Sequence, residues 1–500
     1  MKVTFIFPNI FEGMDKSSFY HMGIGYLSAV LKGNGHQTSL INIYKKIERE
    51  PFITKLKQEN PDIIGFSSVT PQIHNVVTLT KWIREAGIKS FIICGGIHAT
   101  LDPQSAVSIE GIDAACCGEG EYALLELCQA LQRGEDYSEI KNLWVKRNGD
   151  IKNNQNRPMI EDLDTLPFPD REIFDRNDFS EERQAQLQLG ASRGCPYNCT
   201  YCSNHAIKSV YPNKNKYVRF RSVDNLIKEE LELKAKYPEI KYYVFEDDIL
   251  YLNKEWYREF SEKHRKYVGL PFHSNIHPNL INEESLYYLK YAGCTKIQIG
   301  LESGNEYVRK NILNRNMSND KFVESVNQAK KMGFEIFTFN LIGIPDEKPS
   351  DILDTIKLNA MIDQDSTQVA ILYPFPKTDI YNYAKIRNYI SEKKIVDSYI
   401  DDTKLEFPSL SRIQILVYRR YFVIFAKLYR KIYKSNFQSK NLEKIADRIL
   451  GSIVTVYLLH SVFLVVRFVY RKIDNCFFKN FVRKYLYSFS KYNSISKVPI

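Results

Sequence analysis

The stretch Arg193-Gly194-Cys195-Pro196-Tyr197-Asn198-Cys199-Thr200-Tyr201-Cys202 sets three cysteines in C-x3-C-x2-C spacing on a turn rich in Gly, Pro and Asn. Three thiolates this close can converge on one inorganic centre, so the surrounding chain has to present them from a loop. Zinc in a structural site would want a fourth protein ligand. A cubane iron–sulfur cluster usually takes four cysteines, and three leave one iron open as a Lewis-acid seat for a small chelating ligand. A zinc knuckle and three structural thiols in a reducing compartment are the alternatives.

The other cysteines, Cys94, Cys116, Cys117, Cys128, Cys294 and Cys476, are scattered, and the total of nine is odd. That is no secreted disulfide framework, and a reducing cytoplasm is expected. The N-terminus, Met1 to Pro8, is expected to be a buried strand without the length or cleavage site of a signal peptide. At 500 residues there is room for two or three domains.

Residues 1–135 alternate strand-like and helix-like runs: Val3–Phe7, Thr38–Ile43, Ile63–Ser67, Phe91–Cys94 and Ala114–Cys117 are apolar, with amphipathic stretches between them. This predicts a doubly wound, Rossmann-like parallel sheet, whose ligands bind beyond the carboxyl ends of the strands. Glycines stand at those ends, in Gly65-Phe66-Ser67-Ser68-Val69-Thr70, Gly95-Gly96-Ile97-His98 and Gly118-Glu119-Gly120. They let backbone approach a large flat or phosphate-bearing ligand.

Residues 136–185 read as a linker, with a hairpin at Asn148-Gly149-Asp150 and a proline-stiffened connector. The β-α rhythm then resumes over residues 186–385, giving six units and an open (βα)6 TIM-type half-barrel with its reactive face at the carboxyl-end loops. Those loops carry Asp247 and Asp248, Glu302 and Ser303, and Gly343-Ile344-Pro345. Asn275, His277, Gln298 and Tyr373 also fall at strand ends. Helix N-capping is the bland reading of the aspartates and the serine.

Residues 386–500 form a predicted helical, basic tail. From Arg412 onward 18 Lys and Arg face only Glu443, Asp447 and Asp474, a balance of +15 against +10 for the whole chain. Ile413–Tyr433 interleaves aromatic and basic residues, and Ile449 to Val466 has no formal charge. Eighteen residues is short for crossing about 30 Å of hydrocarbon, and His460 would sit in the middle. A helix lying in the interface of an anionic leaflet is the expectation, with a membrane span or a buried helical cap as alternatives. No nucleic-acid module accompanies the charge, so nucleic acid is not an expected partner.

The cysteine spacing, with Tyr201 just before the third cysteine, resembles the radical S-adenosylmethionine (SAM) superfamily. The N-terminal loops, together with Gly23-Ile24-Gly25-Tyr26-Leu27 and Gly33-Asn34-Gly35-His36, resemble the cobalamin-binding domain of its cobalamin-dependent members. Residues 1–380 are similar to the group of anaerobic Mg-protoporphyrin monomethyl ester cyclases and hopanoid methylases. The resemblance implies a 4Fe-4S cluster on Cys195, Cys199 and Cys202 and SAM bound near Tyr201, Asp247, Asp248, Glu302, Ser303, Gly343 and Ile344. It implies cobalamin against Ser67, Thr70, Gly95, Gly96, His98, Gly118, Glu119 and Gly120.

The Asp-x-His-x-x-Gly motif that supplies an axial histidine elsewhere is missing, and His98 is the nearest candidate. The implied chemistry is hydrogen abstraction from an unactivated carbon by a 5′-deoxyadenosyl radical, then methyl transfer from methylcobalamin. The substrate would be lipid-like, a tetrapyrrole or a secondary metabolite, and the electron donor a flavodoxin or ferredoxin. The enzyme would be cytoplasmic, peripheral on the inner face of the cell membrane. A radical cyclase without methyl transfer, and a non-catalytic cobalamin or iron–sulfur sensor, are the other readings.

Overall fold

The computed structural model describes residues 1–8, 18–391, 394–396, 398–400, 402–435 and 439–472, with side chains as far as Leu464 in the last helix. The glycine-containing loop after Pro8 and Cys476 lie outside the described residues.

The first sheet has seven strands: β1 Lys2–Pro8, β2 Gln37–Ile43, β3 Ile63–Ser67, β4 Phe91–Gly95, β5 Ala114–Cys116, β6 Leu143–Arg147 and β7 Asp150–Asn153. Their order is β2-β1-β3-β4-β5-β6-β7, parallel through β5. The apolar runs of β1, β3 and β4 are buried because helices cover both faces of a parallel sheet. The chain reverses direction across the sheet between β1 and β3, where a crevice opens beyond the strand ends. The hairpin expected in the connector adds β6 and β7 antiparallel to this sheet, so the sheet continues past residue 135.

The second sheet starts at β8 Gln186–Leu189. A two-stranded ribbon of β9 Ser192–Arg193 and β10 Arg219–Phe220 follows around the cysteine loop. Then come β11 Tyr242–Phe245, β12 Phe272–Ile276, β13 Cys294–Glu302, β14 Glu335–Ile342 and β15 Ser366–Ile371. The order β15-β14-β13-β12-β11-β8 is all parallel, the expected six-stranded half-barrel. β13 runs further than its apolar core suggests. Gly300 to Glu302 belong to the strand, with a register shift against β14.

The tail departs from expectation. Helix Arg412–Lys434 is a cap on the barrel: Tyr418, Phe422 and Tyr429 are fully buried and its core is shared with Ile342, Ile371 and helix Pro349–Ile362. Its aromatic residues are spent on packing, so this segment is not free to lie in a lipid interface. The segment before it and the helix together cover the edge of β15: Ile371 N–H donates to Tyr399 O at 2.6 Å and Arg419 Nε to Val369 O at 3.4 Å. The uncharged run beyond it breaks at Ser452 into helices Ser439–Gly451 and Ile453–Lys472, bent by 64°. Among the described residues no single helix is long and apolar enough to cross a membrane.

Buried charge ties the connector to the half-barrel. Glu229, on the helix after β10, takes Arg171 of the connector at 2.8 Å and Arg221 on its other oxygen, all three nearly inaccessible. Removing one member of such a cluster leaves uncompensated charge in low dielectric. Glu229→Ala should therefore lower unfolding free energy by about 3–5 kcal/mol, read by chemical denaturation.

Candidate active site

The cysteine loop leaves the end of β8 and is held on every side. Gly194 has φ +91°, and a Cβ there would come within 2.2 Å of Tyr217 O. Tyr197 stacks on His277 with ring centroids 3.8 Å apart. Thr200 N–H donates to Leu313 O at 3.1 Å, Thr200 Oγ1 to Ile312 O at 2.6 Å, and Asn314 Nδ2 to Asn198 O at 2.8 Å. Cys195, Cys199 and Cys202 are free thiols that line one cavity of about 270 Å³ at the carboxyl end of the half-barrel. Burial pushes the Cys195 thiol up to about 12 and raises Cys202 as well.

An iron–sulfur cluster takes each thiolate on a different iron, which suits three cysteines that face a common space.

Arg315, which sequence reading did not single out, lies beside these thiols. Its Nη1 is 3.9 Å from Cys199 Sγ and its Nη2 donates to Gly300 O at 2.7 Å. Burial opposes the charge, but Tyr201, Glu302 and Cys199 around it raise its pKa. Glu302 accepts from Tyr201 and faces Arg315; burial raises its carboxyl and those two neighbours pull it back. Glu302 sits at φ +66°, a conformation a non-glycine residue adopts only when its surroundings fix it. The register shift in β13 aims this side chain into the cavity.

The other expected residues divide. Asp248 lines the cysteine cavity and also a larger one of about 370 Å³ between the two sheets. Asp247 lines only the larger; it accepts from Ala191 N–H at 3.1 Å and from Ser192 Oγ, pinning the end of β8 to that of β11. Ser303 lines neither: its Oγ accepts from Asn305 N–H at 3.3 Å, a local turn. Gly343 and Ile344, expected beside SAM, line neither cavity: they form a buried turn whose N–H groups donate to Glu347 Oε2 at 2.7 and 3.2 Å. Glu347 was also missed, although a carboxylate four residues after Gly343 is a legible turn-capping signal. Asn275, His277, Gln298 and Tyr373 all line the cysteine cavity.

In the first domain, Ser67, Gly95, Gly96, Gly118, Glu119 and Gly120 line the larger cavity. A Cβ at Gly95 would meet nothing nearer than Phe66 O at 3.7 Å, so the missing side chain leaves room for a ligand. Thr70 and His98 do not line it. His98 Nδ1 is 3.3 Å from Thr70 Oγ1, the ring is buried, and burial lowers its pKa to about 4. Glu119 does double duty, accepting from Arg193 at 2.9 Å, Arg219 at 2.9 Å and Ile160 N–H at 2.8 Å. Burial alone would raise this carboxyl, but the two arginines outweigh it and hold it low. Asn204, Glu246, Asp248 and Tyr399 line both cavities, so the space beside the glycine loops and the space beside the cysteines share a wall.

Two predictions come from this geometry. Gly194→Ala should distort the loop and lower iron incorporation on reconstitution several-fold, measured by absorbance and iron content. Burial raises Glu347 to about 8 against two opposing N–H bonds, so the native state keeps a proton that the unfolded chain releases near 4.5. Stability should then fall as pH rises between those values, by up to about 1.4 kcal/mol per unit, and Glu347→Gln should flatten that slope in pH-dependent denaturation.

Sequence comparison agrees with this arrangement. A family model described as the Radical SAM superfamily matches residues 190–358, and one described as the B12 binding domain matches residues 16–128. An uncharacterized methyltransferase of Pyrococcus horikoshii is 27% identical over 372 residues, covering 74% of this chain and 79% of that protein. Cytidylyl-2-hydroxyethylphosphonate methyltransferase of Streptomyces wedmorensis is 23% identical, covering 65% and 69%. Anaerobic magnesium-protoporphyrin IX monomethyl ester cyclase of Rubrivivax gelatinosus is 24% identical, covering 76% and 69%.

Among solved structures, the radical SAM methyltransferase TsrM of Kitasatospora setae, with cobalamin and a 4Fe-4S cluster bound, superposes with TM-score 0.61 at 16% identity, over 77% of this chain and 78% of that one. The radical enzyme OxsB with aqua-cobalamin and SAM superposes with TM-score 0.64 at 16% identity, over 100% and 76%. These structures share the fold. With both domains matched in sequence and the cysteine cavity sharing a wall with the glycine-lined one, the chain is an enzyme that combines a radical SAM domain with a B12-binding domain.

Proposed function

We propose that this enzyme is a cobalamin-dependent radical SAM C-methyltransferase acting on an unactivated carbon of a small, largely apolar substrate. The observation that carries the reading is the shared wall: one cavity collects three free thiols, the next is edged by glycine backbone, and Asp248 borders both. The similar proteins include a cytidylyl-2-hydroxyethylphosphonate methyltransferase and a hopanoid C-3 methylase, which supports methyl transfer over other outcomes.

Cys195, Cys199 and Cys202 hold the 4Fe-4S cluster, and the first domain's glycine loops hold cobalamin. When bound, the cluster with SAM supplies a 5′-deoxyadenosyl radical, and cobalamin supplies the methyl group. Arg315, itself buried, would balance thiolate charge at the buried Cys199, where a fixed cation is worth more than in water. Asp248 and Glu302 are the carboxylates that border the cysteine cavity, where a SAM amino group would bind. Phe339, Leu341, Leu372 and Phe375 wall the cysteine cavity and keep water from a reactive carbon radical.

Asn275 Oδ1 and Gln368 Oε1, both on that cavity, have no hydrogen-bond partner among the described residues. Buried acceptors left open fit a ligand that brings hydroxyl or N–H donors. The apolar walls suit a lipid-like, tetrapyrrole or secondary-metabolite skeleton. A flavodoxin or ferredoxin supplies the electron, and the enzyme works in the cytoplasm at the inner face of the cell membrane.

The test is anaerobic reconstitution with iron, sulfide and hydroxocobalamin, then assay of SAM products under reduction beside Cys199→Ala. The expected outcome is both 5′-deoxyadenosine and S-adenosylhomocysteine, lost together in the variant. Deoxyadenosine alone, with a cyclised or rearranged product, would replace methyl transfer with radical cyclisation. Neither product across a panel of lipid, tetrapyrrole and metabolite substrates, with cluster and cobalamin bound, would replace it with a sensor.

A further inference from the structure

The bent helix pair Ser439–Gly451 and Ile453–Lys472 turns an apolar stripe and a basic stripe outward together. On the first helix Leu442, Ile445 and Ile449 stand at i, i+3 and i+7 on one face, each 42–53% exposed. On the second, Val454 is 73% exposed and Leu458 62%, and Val462 continues the row. The inner faces are committed to the protein: Ala446 and Leu450 are buried, Tyr418 OH donates to Leu450 O at 2.9 Å, and Tyr421 OH to Leu459 O at 3.2 Å. Outward large apolar side chains in this density mark a surface that something covers.

Charge says what covers it. The two acidic residues of the first helix, Glu443 and Asp447, reach inward to Lys357 at 3.7 and 3.3 Å. Lys440, Lys444 and Arg448, spaced four apart, are exposed on the stripe beside Leu442, Ile445 and Ile449. The outer face is therefore apolar and cationic, with the compensating carboxylates removed from it. Two copies of this chain meeting there would bring like charges together, whereas an anionic surface is complementary.

We propose that this helix pair is the surface by which the enzyme docks onto an anionic lipid leaflet, lying in the interface without crossing it. The inference builds on the peripheral location proposed above and gives it residues. The apolar stripe enters the headgroup–acyl boundary and the basic stripe stays at the phosphate level. Because helix Arg412–Lys434, buried in the barrel, packs against both outer helices, docking fixes the orientation of the whole half-barrel to the bilayer.

The experiment is flotation of the full-length, reconstituted protein with vesicles of phosphatidylcholine, with and without phosphatidylglycerol. It is compared with Ile449→Ser/Val454→Ser/Leu458→Ser and with Lys444→Glu/Arg448→Glu. The expected result is binding only to the anionic vesicles, weakened by salt and reduced roughly tenfold or more in each variant. Cluster absorbance should be unchanged, since none of these residues touches the barrel site. Binding that survives both variants overturns the proposal. Absence of binding overturns it too, and sedimentation names the replacement: a dimer dispersed by the serine substitutions makes the cover a second copy, and a monomer makes it the chain's own following residues. SAM cleavage measured in the same samples keeps a failure of docking distinct from a failure of the catalytic reading.

Discussion

Buried carboxylates on one turn, Glu119 foremost with Glu121 beside it, join the two halves of this enzyme. Glu119 leaves the first sheet on a Gly-Glu-Gly turn, takes arginines from both strands of the small ribbon around the cysteine loop, and caps the connector at Ile160. Neither domain contains a complete site. The glycine loops belong to one sheet and the thiols to the other, and the space between them has a defined width only while Glu119 and Glu229 keep their arginines. Buried ion clusters of this kind add little to net stability compared with apolar packing, and what they give is a specific geometry. A tolerance of a few tenths of an ångström between two reactive centres is where such specificity matters.

The cysteine cavity shows the same trade. Glu302 holds a left-handed backbone at a strand irregularity, and Arg315 and Glu302 are ionisable groups shut away from water. Each feature costs folding free energy, and together they surround the thiols with fixed charge that needs no reorganisation when a reaction begins. The remaining wall is apolar, so the few polar atoms with unfilled hydrogen-bonding capacity, at Asn275 and Gln368, carry the directional information.

Strand positions were legible because the apolar runs and the glycines at their ends are both local signals: β3 falls at Ile63–Ser67, where its residues put it. The three cysteines are equally local, since spacing alone brings them to one loop. What escaped was set by tertiary approach. Asp247 and Asp248 are neighbours in sequence with the same chemistry, yet one pins a strand and the other faces both cavities. Arg315 lies in a sequence without any motif and acquires its role from a turn that folds back on Cys199. The tail misled for a related reason. Interleaved aromatic and basic residues from Arg412 to Lys434 satisfy the pattern of an interfacial helix, but the same pattern serves a helix that buries its aromatics against a barrel and pairs its cations at Asp363 and Asp402.

That buried helix has one more consequence. A half-barrel, unlike a closed one, ends in strands whose outer N–H and C=O groups are open to pairing with another chain. Here the edge of β15 is occupied by Tyr399 O and Arg419, so the segment that carries the basic tail also blunts an aggregation template. Shortening the protein back to its recognisable catalytic portion would uncover that edge together with the aromatic core beneath it, and the product would be prone to precipitate. The region beyond the half-barrel thus works as a lid on its open edge, and the catalytic portion is not a self-sufficient folding unit without it.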